Sequence, residues 1–141
     1  MLKRPRFFLL ALGFLMLLPN AAFAELELRG VMKELGGLTE GILTAINKGD
    51  FDAIYKSALA VSNHRTPPMT ERTKILDFLK SDAQGFNDAD AAAQNALQGV
   101  AEAAEGKDID RVVEQFSAVI KGCVGCHTKY RDKIVGQFYK R

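Results

Sequence analysis

The 141-residue sequence has only two cysteines, Cys123 and Cys126, and no tryptophan. Two cysteines are too few to staple a small fold with disulfides. With 48% hydrophobic and 26% charged residues, the chain is not a disordered tail either. It also lacks an apolar run long enough to cross a bilayer. The longest, Phe7 to Leu18, covers about a dozen residues, against the roughly 20 that a membrane helix needs. That run follows Lys3, Arg4 and Arg6, is broken by Pro19 and Asn20, and leads to Ala22-Phe23-Ala24, the small-x-small pattern that signal peptidase reads. Residues 1–24 are therefore expected to be a cleaved signal peptide. Residues 25–141 are then a soluble protein exported to the bacterial periplasm, an oxidising compartment in which free thiols do not normally persist. Finally, a strong net charge is missing. Three of the 19 Lys and Arg lie in the leader, which leaves 16 against 17 Asp and Glu, a net of −1. That balance excludes the basic footprint of a nucleic-acid binder.

Strand alternation is absent as well, and so is any internal repeat. Apolar positions recur instead at helical spacing. Leu28, Val31, Met32, Leu35, Leu38, Ile42 and Ile46 mark a first helix that Gly49-Asp50 ends. Phe51, Ile54, Tyr55, Ala58 and Leu59 mark a second, which stops before the loop Asn63 to Met69, where Pro67-Pro68 forbids continuation. Thr70-x-x-Thr73 restarts helix with Ile75, Phe78 and Leu79. The stripe resumes after Gly85, a break or a bend, as Phe86, Ala89, Ala93, Leu97, Val100 and Ala104. After Gly106-Lys107-Asp108 comes the cleanest stripe: Ile109, Val112, Val113, Phe116, Val119, Ile120, Cys123, His127, Tyr130 and Ile134. Short breaks make successive helices antiparallel, so the expected fold is all-α, an up-down four-helix bundle over residues 25–141. Alanine-rich stretches at Ala91 to Ala93 and Ala101 to Ala104 form helix well but fill a core poorly, leaving room for something flat and large.

The chemistry lies in Cys123-Val124-Gly125-Cys126-His127. C-x-x-C-H is the attachment signature of c-type haem: two thiols add to the vinyl groups and the adjacent imidazole binds iron. On a helix Cys123 and His127 share a face with Phe116, Ile120, Tyr130 and Ile134, so the haem is expected to point into the bundle. The competing reading is a thiol-disulfide centre, which the same cysteine spacing permits. A second axial ligand must come from upstream, because no methionine follows His127. Met32 on the inward face of the first helix is one candidate, with a flexible core filler as its plain alternative. Met69 and His64 flank the Pro-Pro loop, where loop packing is the plain alternative.

Taken together, the C-terminal Cys123-x-x-Cys126-His127, the following Tyr130-Arg131 and the segment Val31-Met32-Lys33-Glu34-Leu35-Gly36 resemble a class II c-type cytochrome of the cytochrome c′ family across essentially the whole mature chain. The resemblance implies one haem c, joined through Cys123 and Cys126 near the C-terminus, with His127 as proximal iron ligand. It implies Met32 at the distal position over the other haem face, and Arg131 as the basic residue beside the proximal face. Arg131 is equally readable as a cation favoured by the helix C-terminus. Family members divide between those whose distal methionine binds iron and those with an open site that takes nitric oxide or carbon monoxide. The implied function is one-electron transfer by a monohaem cytochrome, with a five-coordinate gas binder as the alternative, and in neither case an enzyme. The implied partners are a periplasmic redox protein, met through a tail rich in Lys129, Arg131, Lys133, Lys140 and Arg141, and a diatomic gas in the alternative. Gly37 and Gly41, one turn apart, allow close helix contact of the kind found in a homodimer. After processing, no membrane span is expected.

Overall fold

The computed structural model describes residues 26–139. The proposed signal peptide, and Lys140 and Arg141 of the basic tail, lie outside these residues. Within them the chain is helical, without strands: α1 (Leu28–Lys48), α2 (Phe51–Ser62), α3 (Met69–Leu79), α4 (Ala83–Glu105), α5 (Ile109–Cys126) and α6 (Asp132–Phe138). A π-helical turn, His127–Arg131, joins α5 to α6 without a break, so both form one rod. With α1, α2 and α4 this rod makes the four long members of a four-helix bundle, and α3 is a short piece leading into α4.

The two tight turns of the bundle are written in local chemistry. Gly49 takes the left-handed conformation at φ 65°. Its N–H donates to Ile46 and that of Asp50 to Ala45, which closes α1 with the paired bonds that a left-handed residue permits. The Asp50 side chain then accepts the N–H of Ala53 at 3.0 Å and starts α2. The turn into α5 repeats the plan, with Asp108 accepting from Arg111 at 3.0 Å. There Lys107, not the adjacent Gly106, takes the left-handed position, at φ 53°.

α1 packs on α2, α2 on α4 and α4 on α5, but α1 and α5 scarcely touch. The main core fills the end of the bundle that holds these turns, with Ile42, Ile54, Leu97, Val100, Val112, Phe116 and Val119 buried together. Each such side chain contributes on the order of 1.5–3 kcal/mol by leaving water. Ala101, Ala103 and Ala104 belong to this tight core. They do not open space for a large group, as their small size suggested. The open space lies instead where α1 and the C-terminal rod stand apart. A second cluster, Ile75, Leu79, Tyr130 and Ile134, occupies the other end.

The expected helix from Thr70 onward breaks at Lys80–Asp82, a 3-10 turn entered through Lys80 at φ 50°. Gly85 is neither break nor bend: it sits inside α4, where a Cβ would meet the Tyr130 hydroxyl at 2.7 Å and Lys129 Nζ at 3.3 Å. The missing side chain lets Tyr130 stack edge-on against Phe86, ring centroids 5.4 Å apart. Of the four glycines in α1, Gly37 and Gly41 are the candidates for close helix contact: a Cβ on Gly41 would lie 3.8 Å from Ser57 Oγ on α2, while one on Gly37 would meet nothing within 4 Å.

Asp82, in the 3-10 turn, draws the rod toward α4. Lys133 Nζ donates to its carboxylate at 2.8 Å and Lys129 Nζ stands 3.8 Å away. The Lys133 hydrogen bond and charge, reinforced by Lys129, hold the Asp82 carboxyl below its ordinary value. A lowered folded value means that this contribution is present above about pH 4 and lost as pH falls through the folded value. The stability margin of wild type over Asp82→Asn, followed by thermal melting, is therefore expected at neutral pH and low salt. It should shrink below about pH 4, and a margin that grows on acidification would contradict the pairing.

Gly85→Ala separates two opposed effects. Helix propensity alone favours alanine by about 1 kcal/mol, whereas displacement of Tyr130 costs about 1–3 kcal/mol. Net destabilisation in denaturant unfolding is expected; a stabilised variant would show that Tyr130 gives way freely.

Candidate haem site

The gap between α1 and the rod is a cavity of about 440 Å³, within the roughly 300–1,000 Å³ of sites that enclose small organic ligands. α1 supplies Leu28, Arg29, Met32 and Lys33, and α4 supplies Phe86 and Asp90. The rod supplies Cys126, His127, Tyr130 and Arg131 and, beyond the π turn, Ile134, Val135 and Tyr139. Four of the five residues singled out in the sequence, Met32, Cys126, His127 and Arg131, therefore line one cavity. Cys123 does not line it; one turn earlier on the same rod, it packs half-buried against the main core.

His127 faces the cavity from a site exposed to solvent rather than from the bundle interior. Ile120 and Met32, also expected to face inward, are 39% and 40% exposed. The physical reason is the separation of α1 from α5: no protein side chain fills the space their inner faces border. The His127 ring makes no hydrogen bond or ion pair among the described residues, so both nitrogens are available. Met32 stands on the α1 wall of the cavity and His127 on the rod wall. His64 and Met69 are elsewhere. The His64 ring nitrogen Nδ1 is 2.8 Å from the Val61 carbonyl, and Met69 is 75% exposed at the start of α3.

The π turn begins at His127 itself, a local feature that recurs at functional sites. It shifts the register of the rod so that Tyr130 turns into the second core while Arg131 lines the cavity. Thr128 Oγ1 donates to the Val124 carbonyl at 2.8 Å where the ladder changes register. No periodicity argument from sequence foresees this turn.

Both thiols are free. Burial pushes each above its ordinary value, and for Cys126 the charge of Asp90 and the neighbouring Cys123 add to the rise. A thiol-redox pair has the opposite bias, toward thiolate. Among the described residues no group of three His, Cys, Asp or Glu is arranged to hold a metal ion directly.

The residues present fit a haem. Leu28, Met32, Phe86, Ile134 and Val135 give apolar walls, Cys126 and Cys123 are three apart on one helix, and an unpartnered imidazole follows at once. Arg29, Lys33 and Arg131 at the rim supply cations for propionates. Arg131 is itself exposed and 3.5 Å from the Asp132 carboxylate. A larger hollow of about 640 Å³, open to solvent on the other flank of the first turn of α1, is lined by Leu26, Glu27, Arg29, Gly30, Lys33 and Arg65 and offers neither thiol nor imidazole.

Comparison with curated proteins gives no match, and comparison with solved structures gives none. A protein-family model described as Cytochrome C' matches residues 29–131, from the first turn of α1 through the C-x-x-C-H motif to Arg131. That span takes in Met32 on one wall of the cavity and Cys126, His127 and Arg131 on the other, and the chain belongs to the cytochrome C' family.

Proposed function

We propose that this haem protein is a periplasmic monohaem cytochrome that carries one electron, with the haem joined to Cys123 and Cys126 and the iron held by His127 and Met32. The observation that carries the reading is the placement of His127 and Met32 on facing elements of one apolar cavity. Periplasmic residence follows from the leader pattern in residues 1–24. Among the described residues no helix is long and apolar enough to cross a membrane.

When bound, the haem supplies an iron that accepts one electron and returns it. The chain's own residues set the conditions for that exchange. Cys123 and Cys126 fix the ring to the rod. His127 would hold the iron through an imidazole nitrogen and Met32 through its thioether sulfur, the ligand pair that raises the potential of c-type cytochromes. Leu28, Phe86 and Ile134 keep water from the ring, which limits ligand exchange at the metal. Arg29, Lys33 and Arg131 offset propionate charge at the rim.

A second reading, a five-coordinate binder of nitric oxide or carbon monoxide, is favoured by one feature. The α1 wall stands off the rod, and Met32 is 40% exposed on it. In that case Met32 packs over the iron without bonding to it.

The absorption spectrum of the exported, haem-loaded protein separates the two. Sharp low-spin bands in both oxidation states, unmoved by brief exposure to carbon monoxide, are expected. Met32→Ala should convert them to high-spin bands that shift at once with the gas, and His127→Ala should abolish the low-spin form. Wild-type bands that are broad, high-spin and immediately shifted by carbon monoxide would favour the gas binder.

A further inference from the structure

Glu71, on α3, is the one buried charged residue among the described residues, at 7% exposure. Its two carboxylate oxygens accept the backbone N–H groups of Glu27 at 2.7 Å and Leu28 at 2.8 Å. These are N-terminal amides of α1, which have no partner within the helix, and α1 has no side-chain cap of its own. The next amide, Arg29 N–H, donates to the Tyr139 hydroxyl at 3.0 Å, and the same hydroxyl donates to the Leu26 carbonyl at 3.2 Å. The start of α1 is thus held by a carboxylate from α3 on one side and a phenol from the end of the rod on the other. α3 is in turn tied to α4, because Arg72 donates to the Asn87 side chain at 3.0 Å.

The held segment carries Leu28, Arg29, Met32 and Lys33, the whole contribution of α1 to the cavity. Farther along, α1 is packed on α2 and scarcely meets α5, so its distance from the rod is set at this first turn, where Tyr139 and the second cluster meet it. An anionic cap at a helix N-terminus is favoured by the aligned peptide dipoles, and its hydrogen bonds are directional.

We propose that Glu71 is a positioning residue for the distal wall: by capping α1 from α3 it fixes how far Met32 stands from the iron. Resting on the electron-carrier reading above, the inference adds that the sixth bond depends on a residue remote from the cavity. Without the cap, the first turn of α1 frays and Met32 leaves the iron for part of the time.

The test compares haem-loaded wild type, Glu71→Ala, Glu71→Gln and Val112→Ala, reading ferric spin state and the rate of carbon monoxide binding to the ferrous protein. Val112 is fully buried in the opposite core, so its variant reports what loss of stability alone does. Glu71→Ala is expected to raise the high-spin fraction and to speed carbon monoxide binding about tenfold or more. Glu71→Gln, which keeps one carbonyl acceptor, should fall between, and Val112→Ala should melt earlier with neither change. If Glu71→Ala does not fold, Tyr139→Phe, which removes the other tie, must show the same direction of change. A six-coordinate wild type whose Glu71→Ala or Tyr139→Phe variant keeps its spin state and rate would overturn the inference alone. A wild type already open to carbon monoxide would overturn the electron-carrier reading and the inference together.

Discussion

α1 and the C-terminal rod are each packed firmly on a neighbour and hardly at all on one another, and the site depends on that separation. Packing runs in sequence from α1 to α2, α4 and α5, leaving the last pairing of the ring unmade. A protein interior is ordinarily filled to crystal density, so an apolar gap of about 440 Å³ costs contact energy unless something occupies it. The residues bordering the gap suit a specific guest: the thiol of Cys126, the unpartnered imidazole of His127 and, on the α1 wall, the thioether sulfur of Met32.

Three devices hold the gap open without filling it. At one end, Gly49-Asp50 and Lys107-Asp108 fold the chain sharply and the main core locks the helices together. At the other, Tyr130 packs into the space that Gly85 leaves, and Asp82 gathers Lys129 and Lys133, fixing the rod on α4. The start of α1 is tied by Glu71 and Tyr139. The wall that bears Met32 is therefore set by polar bonds at its tip, and the wall that bears His127 by apolar packing along its length. Such a division suits the proposed cofactor, which would be fixed to the rod wall and only ligated from the α1 wall.

Much of this is legible in the sequence, for identifiable reasons. Helical spacing of apolar residues locates α1, α2, α4 and α5, because a buried stripe is a strong periodic signal. Asp50, Asp108 and Pro67-Pro68 mark turns whose chemistry is local, and Cys123, Cys126 and His127 form a motif of fixed spacing. Other features depend on contacts distant in sequence. Gly85 reads as a break or a bend until Tyr130, far along the chain, is seen beside it. Nothing in the sequence singles out Glu71, in the first turn of α3, because its partners lie at the start of α1. Lys80, a lysine at positive φ, carries no signal for the break it makes. The stripe through Ile120 and His127 does mark one face, but periodicity cannot tell a face that meets protein from one that meets a cofactor.

The most direct test of the site is the proton spectrum of the reduced, haem-loaded protein by nuclear magnetic resonance. A methionine bound to ferrous low-spin iron places its methyl group in the ring current of the haem, far upfield of any other side chain. One such methyl signal is expected, and it should vanish in Met32→Ala. A reduced protein with paramagnetically spread resonances and no upfield methyl would contradict ligation of the iron by Met32, and with it the electron-carrier reading.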